Sequence, residues 1–145
     1  MTADRHRRLY VSDLDGTLLG NDARLSARSR AILQELLRDG LLFTVASARS
    51  VVAMQSILGG LTLPLPVIEM NGAFLSDLAS GHHHVVNDLG PGLAKAVFEL
   101  VRAAGHLPFI SAFDGERDRL YYAATENPGM EWYLTDRARN DDRRL

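Results

Sequence analysis

The sequence predicts an α/β fold, a doubly wound and largely parallel sheet, followed by a smaller antiparallel α+β part. Three observations carry this. Short apolar runs alternate with stretches of helical period in the order strand, helix, strand, helix, strand, which right-handed crossovers turn into a parallel sheet. The run LLFTVASA, Leu41 to Ala48, is apolar almost throughout, as a strand covered on both faces must be. After Gly72 the order changes to paired strands around polar turns, which a parallel sheet does not contain.

The elements follow in sequence. LYVSDLD, Leu9 to Asp15, reads as a short strand that begins apolar and ends in acid. LSARSRAILQELLRDG reads as a helix with Ser26 as its N-cap, Ile32, Leu33, Leu36 and Leu37 on one face, and Gly40 to stop it. A second helix is expected from Ser50 to Leu58, closed by Gly59 and Gly60, and PVIEMNG supplies a third buried strand from Val67 to Met70. These strands end in polar or small residues: Asp13 to Gly16, Ser47 to Arg49, Asn71 to Gly72. Ligands of open α/β sheets bind outside the carboxyl ends of the strands, so the three clusters are expected to converge.

Beyond Gly72, AFLSD and HHHVVND around Ala79, Ser80 and Gly81 read as a hairpin. Pro91 opens a helix with Leu93, Val97, Leu100 and Val101 on one face, ended by Gly105. LPFISAF and RLYYAAT are two further strands joined by the turn DGERD, and Asn127 with Pro128 introduces a last helix through Trp132 and Leu134. The boundary between the two parts falls near Ala73 to Asn87.

Composition narrows the function. With 145 residues, 46% of them hydrophobic, the chain can bury a real core. It has no cysteine, which excludes thiol chemistry and suits a reducing cytoplasm. The net charge of −2 and the scattered basic residues give no field for nucleic acid. No segment approaches the ~18 to 20 apolar residues of a membrane-spanning helix.

The chemistry is carried by YVSDLDGTLLGND. In an extended strand, residues two apart share a side, so Asp13 and Asp15 face one space unless the chain turns between them. Their repulsion is relieved by a hard cation with oxygen ligands, and magnesium suits carboxylates, water and phosphate. One carboxylate can attack phosphorus while the other moves the proton of the departing alcohol. Gly16 lets the backbone turn and offer amides to phosphate, and Thr17 can tie that turn. Ser47, with the amides around Ala48, can hold a phosphoryl oxygen as charge develops on it.

VSDLDGTLL resembles motif I of the haloacid dehalogenase superfamily, and TVASARS its motif II, at the spacing of the Cof-type sugar-phosphate phosphatases. EMNGA is similar to the asparagine-glycine segment that ends the third strand in that subfamily. The resemblance covers nearly the whole chain. It implies a partial HAD-like Rossmannoid core over residues 1–80, a partial C2-type cap over 81–145, and a core whose third and fourth motifs are absent. The activity it implies is a magnesium-dependent phosphatase acting on small phosphorylated metabolites such as sugar phosphates through an aspartyl phosphate. By position, Asp13 would be the nucleophile and a magnesium ligand. Asp15 would be the general acid and base and lend its carbonyl to the metal. Ser47 would hold phosphate where many relatives have threonine, and Arg49 and Asn71 would lie near the substrate.

Two parts of the family pattern are missing, a charge-balancing lysine and a glycine-aspartate segment. The single lysine, Lys95, falls in the first cap helix, and Asp141 and Asp142 read as a solvated tail. A first strand without its outer neighbours leaves an apolar edge, which implies a homodimer, a complementing chain or a truncated gene product. The rival functions are a non-catalytic module that associates through that edge and a phosphomutase. Other residues read as structural. His82, His83 and His84 alternate faces in a hairpin, Tyr121, Tyr122, Trp132 and Tyr133 pack a sheet on a helix, and Arg117 and Arg119 sit in a solvated turn.

Overall fold

The computed structural model describes residues 8–139, 142, 144 and 145. Its elements fall into two units, Met1–Asn87 and Asp88–Leu145. In the first, β1 (Leu9–Ser12), α1 (Ala27–Arg38), β2 (Leu42–Val45), α2 (Val51–Leu58) and β3 (Val67–Glu69) follow in the expected order. β1 and β2 run parallel, from Leu9 opposite Leu42 to Ser12 opposite Val45. A single parallel bridge, Ala46 to Ile68, joins β2 to β3. β2 therefore lies between two strands, and Phe43, Thr44 and Val45 are buried, as its unbroken apolar run requires.

Ser26 caps α1 by accepting the Ser29 N–H at 3.0 Å, and Gly40 follows the helix at φ +88°, a left-handed conformation in which a side chain is strained. The expected apolar face is narrower than the sequence suggested. Leu33 is buried and Leu37 packs partly against the core, whereas Ile32 and Leu36 are exposed. Each lies one residue back, about 100° around the helix, and falls outside the core-facing stripe. Ser50 caps α2, which sends Val51, Met54 and Leu58 into the core with Leu14, Val45 and Val67. Each of these buried side chains contributes about 1.5–3 kcal/mol.

The hairpin is carried by β3 itself. β4 (Phe74–Ser76) pairs antiparallel with β3, and β5 (His83–Val86) with β4, so the first unit holds a three-stranded antiparallel sheet beside its parallel pair. His82 and His84 meet edge to face at 5.2 Å, while His83 turns the other way, into the protein.

The second unit contains α3 (Gly90–Ala103), β6 (Ile110–Phe113), β7 (Asp118–Tyr121) and α4 (Pro128–Arg139). β6 and β7 form the expected antiparallel pair. Asp114 Oδ1 fixes their turn by accepting the N–H groups of Glu116 and Arg117 at 2.9 and 2.7 Å. Lys95 lies on α3, 3.7 Å from Glu99 one turn on. The apolar face of α3 is present but buries none of its residues.

Two expectations need correction here. Phe109 does pack with Tyr133 and Tyr122, at ring distances of 5.3 and 5.7 Å, but Trp132 is 66% exposed and takes no part in the core. The end of the chain is not a solvated tail at Asp142. Arg144 folds back, donates to both Asp142 carboxylate oxygens at 2.9 and 2.7 Å, and accepts the Leu120 N–H of β7 through its carbonyl, burying both side chains. Asp141 lies outside the described residues. Among the described residues no helix is long and apolar enough to cross a membrane.

Candidate active site

The site begins where β1 leaves the sheet. Asp13 and Asp15 both have extended backbone, and between them Leu14 is fully buried. The strand ends at Ser12 rather than Asp15, because the chain turns at Leu14 into a single helical turn that runs to Leu18; with Leu14 anchored in the core, the aspartates on either side of it stay at the surface. Gly16 follows at φ +72°, and the Leu19 N–H closes the turn on the Leu14 carbonyl at 2.9 Å. A Cβ at Gly16 would meet no atom within 4 Å, so glycine is needed there for conformation rather than for space. Asp13 Oδ1 accepts the Leu14 N–H at 2.7 Å.

Asp13 and Asp15 line one open cleft of about 530 Å³ with Ala46, Ser47, Ala48, Ile68 and Asn71. The ends of the three strands thus converge as expected. Ser47 donates its N–H to the Ile68 carbonyl at 3.0 Å and accepts the Asn71 N–H on its own carbonyl at 3.1 Å, which joins the ends of β2 and β3. Its Oγ accepts the Arg49 N–H at 3.2 Å, leaving the hydroxyl hydrogen to donate into the cleft. Asn71 sits at φ +57°, a conformation asparagine tolerates better than most residues.

Arg49 and Gly16 do not line the cleft. Arg49 instead grips the Asp15 carboxylate with both arms, Nε to Oδ2 at 2.8 Å and a terminal nitrogen to Oδ1 at 2.7 Å. This hydrogen bonding, with the guanidinium charge behind it, outweighs partial burial and holds the Asp15 carboxyl below the usual aspartate range. Asp15 is therefore ionised at neutral pH in this state. The donor set suits magnesium, which needs only one or two carboxylates when water and phosphate supply the rest. Among the described residues no group of three or more histidines and acids gathers to form a denser metal cage.

Three residues with polar work to do escaped the sequence reading: Glu69, Ser76 and His83, which form a buried cluster on β3, β4 and β5. The signal was Glu69, an acid inside the apolar run PVIEM.

The model of the haloacid dehalogenase-like hydrolase family matches residues 10–143. The chain belongs to that family. It is 27% identical over 128 residues to the protein MG265 of Mycoplasma genitalium, whose name carries a provisional phosphatase assignment, covering 88% of this chain and 44% of that protein. With the HMP-PP phosphatase of Klebsiella pneumoniae it shares 33% identity over 90 residues, 62% of this chain and 33% of the relative. Among solved structures, TM0651 from Thermotoga maritima superposes with a TM-score of 0.66 at 26% identity, over 89% of this chain and 46% of that one. A haloacid dehalogenase-like hydrolase from B. subtilis superposes with a TM-score of 0.68 at 21% identity, over 88% and 43%, and speaks for the fold alone. The chain spans less than half the length of these relatives.

Proposed function

We propose that this member of the haloacid dehalogenase-like hydrolases provides the nucleophile side of a magnesium-dependent phosphatase site for small phosphorylated metabolites such as sugar phosphates. The observation that carries the reading is the convergence of Asp13, Asp15, Ser47, Ala48 and Asn71 on one cleft. Asp13 Oδ2 attacks phosphorus, an acyl phosphate forms, and the ester P–O bond breaks. The departing alcohol oxygen takes its proton from the Asp15 carboxyl. Water then attacks the same phosphorus, Asp15 accepts its proton, and the Asp13 carboxylate and inorganic phosphate are released. The Ser47 hydroxyl donates to a phosphoryl oxygen throughout. Asp13 and Asp15 would hold magnesium, Asp15 through its carbonyl, and the ion would neutralise charge on the phosphoryl oxygens.

Arg49 gives this sequence a gate. While it grips Asp15, that carboxyl stays ionised and has no proton to give. An arriving dianionic phosphate competes for the guanidinium, and its own negative charge beside the Asp15 carboxylate then favours the protonated form that can act as the acid. The absence of cysteine agrees with a cytoplasmic setting. Hydrolysis of p-nitrophenyl phosphate with magnesium tests the reading. Asp13→Asn should remove turnover by at least about 1,000-fold, as loss of a nucleophile does. Turnover unchanged by that substitution contradicts it, and transfer of the phosphoryl group to a sugar rather than to water marks a mutase.

The exposure of β1 favours a second reading. Leu9, Tyr10 and Val11 are all about half exposed, and β2 is the one strand paired with β1 among the described residues. On that reading the chain associates with a second copy of itself along β1. Light scattering should then give a mass that rises toward the dimer with concentration. A constant monomer mass argues against it.

A further inference from the structure

Immediately before the Met70–Asn71 turn, Glu69 is 2% exposed, and its carboxylate is shared among three elements. Oε1 accepts the Ser76 hydroxyl of β4 at 2.5 Å and lies 3.2 Å from His83 Nδ1 of β5, whose ring stacks on Phe74. Oε2 accepts the backbone N–H of Val51, the first residue of α2. Ser76 is itself fully buried, with its Oγ 2.6 Å from His83 Nδ1. A buried carboxylate is costly unless its lone pairs are satisfied, and here donors converge on it from a helix start and two strands.

What this arrangement holds is the loop from Ser47 to Ser50. The Val51 N–H is one of the donors that a helix start leaves unpaired, and the helix dipole favours a negative group there. The residues just after Glu69 grip the same loop by backbone: Met70 N–H donates to the Arg49 carbonyl at 3.2 Å and Asn71 N–H to the Ser47 carbonyl at 3.1 Å. The loop is thus pinned along its length by β3 and by the Glu69 side chain. From it Ser47 faces the cleft and Arg49 reaches Asp15.

We propose that Glu69, held by Ser76 and His83, is a positioning residue that fixes the start of α2 and through it the Ser47–Ser50 loop, so that Arg49 meets Asp15 and the Ser47 hydroxyl meets phosphate. Its catalytic meaning rests on the phosphatase reading. Its structural content does not.

The test uses the isotope-labelled chain and Glu69→Gln, which keeps the volume and removes the charge. The Val51 amide resonance should move upfield, and the Arg49 Nε–H should exchange with water at least about tenfold faster. Affinity for inorganic phosphate in the presence of magnesium should fall about tenfold, the usual scale for removing a group that orients a ligand. Val67→Ala, a core change in the same strand, controls for lost stability and should leave the Arg49 signal in place. A Val51 amide that moves while the Arg49 signal and phosphate affinity stay unchanged overturns the proposal, as does a Val67→Ala chain that loosens Arg49 equally. If Glu69→Gln does not fold, Ser76→Ala decides. It should shift both signals in the same direction by less, and no shift in either overturns the proposal. A wild-type chain that binds no phosphate, yet loosens Arg49 on Glu69→Gln, sinks the phosphatase reading and leaves the positioning role standing.

Discussion

Helices α2 and α3 are both apolar along one face, yet α2 buries Val51, Ala53, Met54 and Leu58 in eight residues while α3 buries nothing in fourteen. The difference lies in what each helix is packed on. α2 starts from a loop tied to β2 and β3 and lies against side chains of the parallel strands. α3 belongs to a unit whose sheet is a two-stranded ribbon, too small to cover Leu93, Val97 and Leu100. Apolar periodicity therefore marks which face a helix would bury, and only the surrounding sheet decides whether it does. The candidate site sits in the unit with the deeper core, where Leu14 can be anchored and the acids on either side of it can be aimed.

This contrast can be broken in a graded way. The second unit is expected to lean most on its buried ion pair. Arg144→Ala removes the two guanidinium bonds to buried Asp142 and leaves it the backbone N–H of residue 144 and the charge of Arg137, which should cost about 1.5–3 kcal/mol in denaturant unfolding of that unit. Burial pushes the Asp142 carboxyl up, but its bonds to Arg144 prevail and hold it below the usual 3.8. A depressed carboxyl contributes stability that is present above its unfolded value and lost as pH falls through its folded one. Wild type should therefore lose this contribution below about pH 4, and the Arg144→Ala chain should show a smaller acid loss.

In the first unit Met54→Ala should cost about 2–5 kcal/mol, whereas Leu100→Ala on α3, at a side chain 71% exposed, should stay within about 0.5 kcal/mol. Equal costs would mean that α3 is covered in solution. Gly16→Ala should cost about 1–2 kcal/mol through backbone strain alone, since space is free there. The smallest effect is local. Arg49→Ala should return the Asp15 carboxyl toward the ordinary aspartate range in a carbon-13 titration, with little change in stability at an exposed pair.

Much of the first unit could be read from the sequence because its signals are local. Ser26, Ser50, Gly40 and the apolar run of β2 each act within a turn or a strand, whereas the turn that begins at Leu14, between Asp13 and Asp15, replaces the extended strand expected there. Legibility ends where a partner is distant in the chain. That Arg49 would close on Asp15, 34 positions away, depends on how two loops meet. His83 was hidden in a row of three histidines, and its inward turn follows from the β4–β5 pairing. The burial of Asp142 depends on Arg144 reaching Ser111 and Tyr133, which no local pattern announces.

The most direct test of the central claim, that Asp13 is the group that attacks phosphorus, is to trap the intermediate. The chain is mixed with magnesium and p-nitrophenyl phosphate, quenched in borohydride, which reduces an aspartyl phosphate to homoserine, and mapped by peptide mass spectrometry. The account predicts homoserine at position 13 and none in the Asp13→Asn chain. Reduction at another acid, or a phosphoryl group on Ser47, would contradict it.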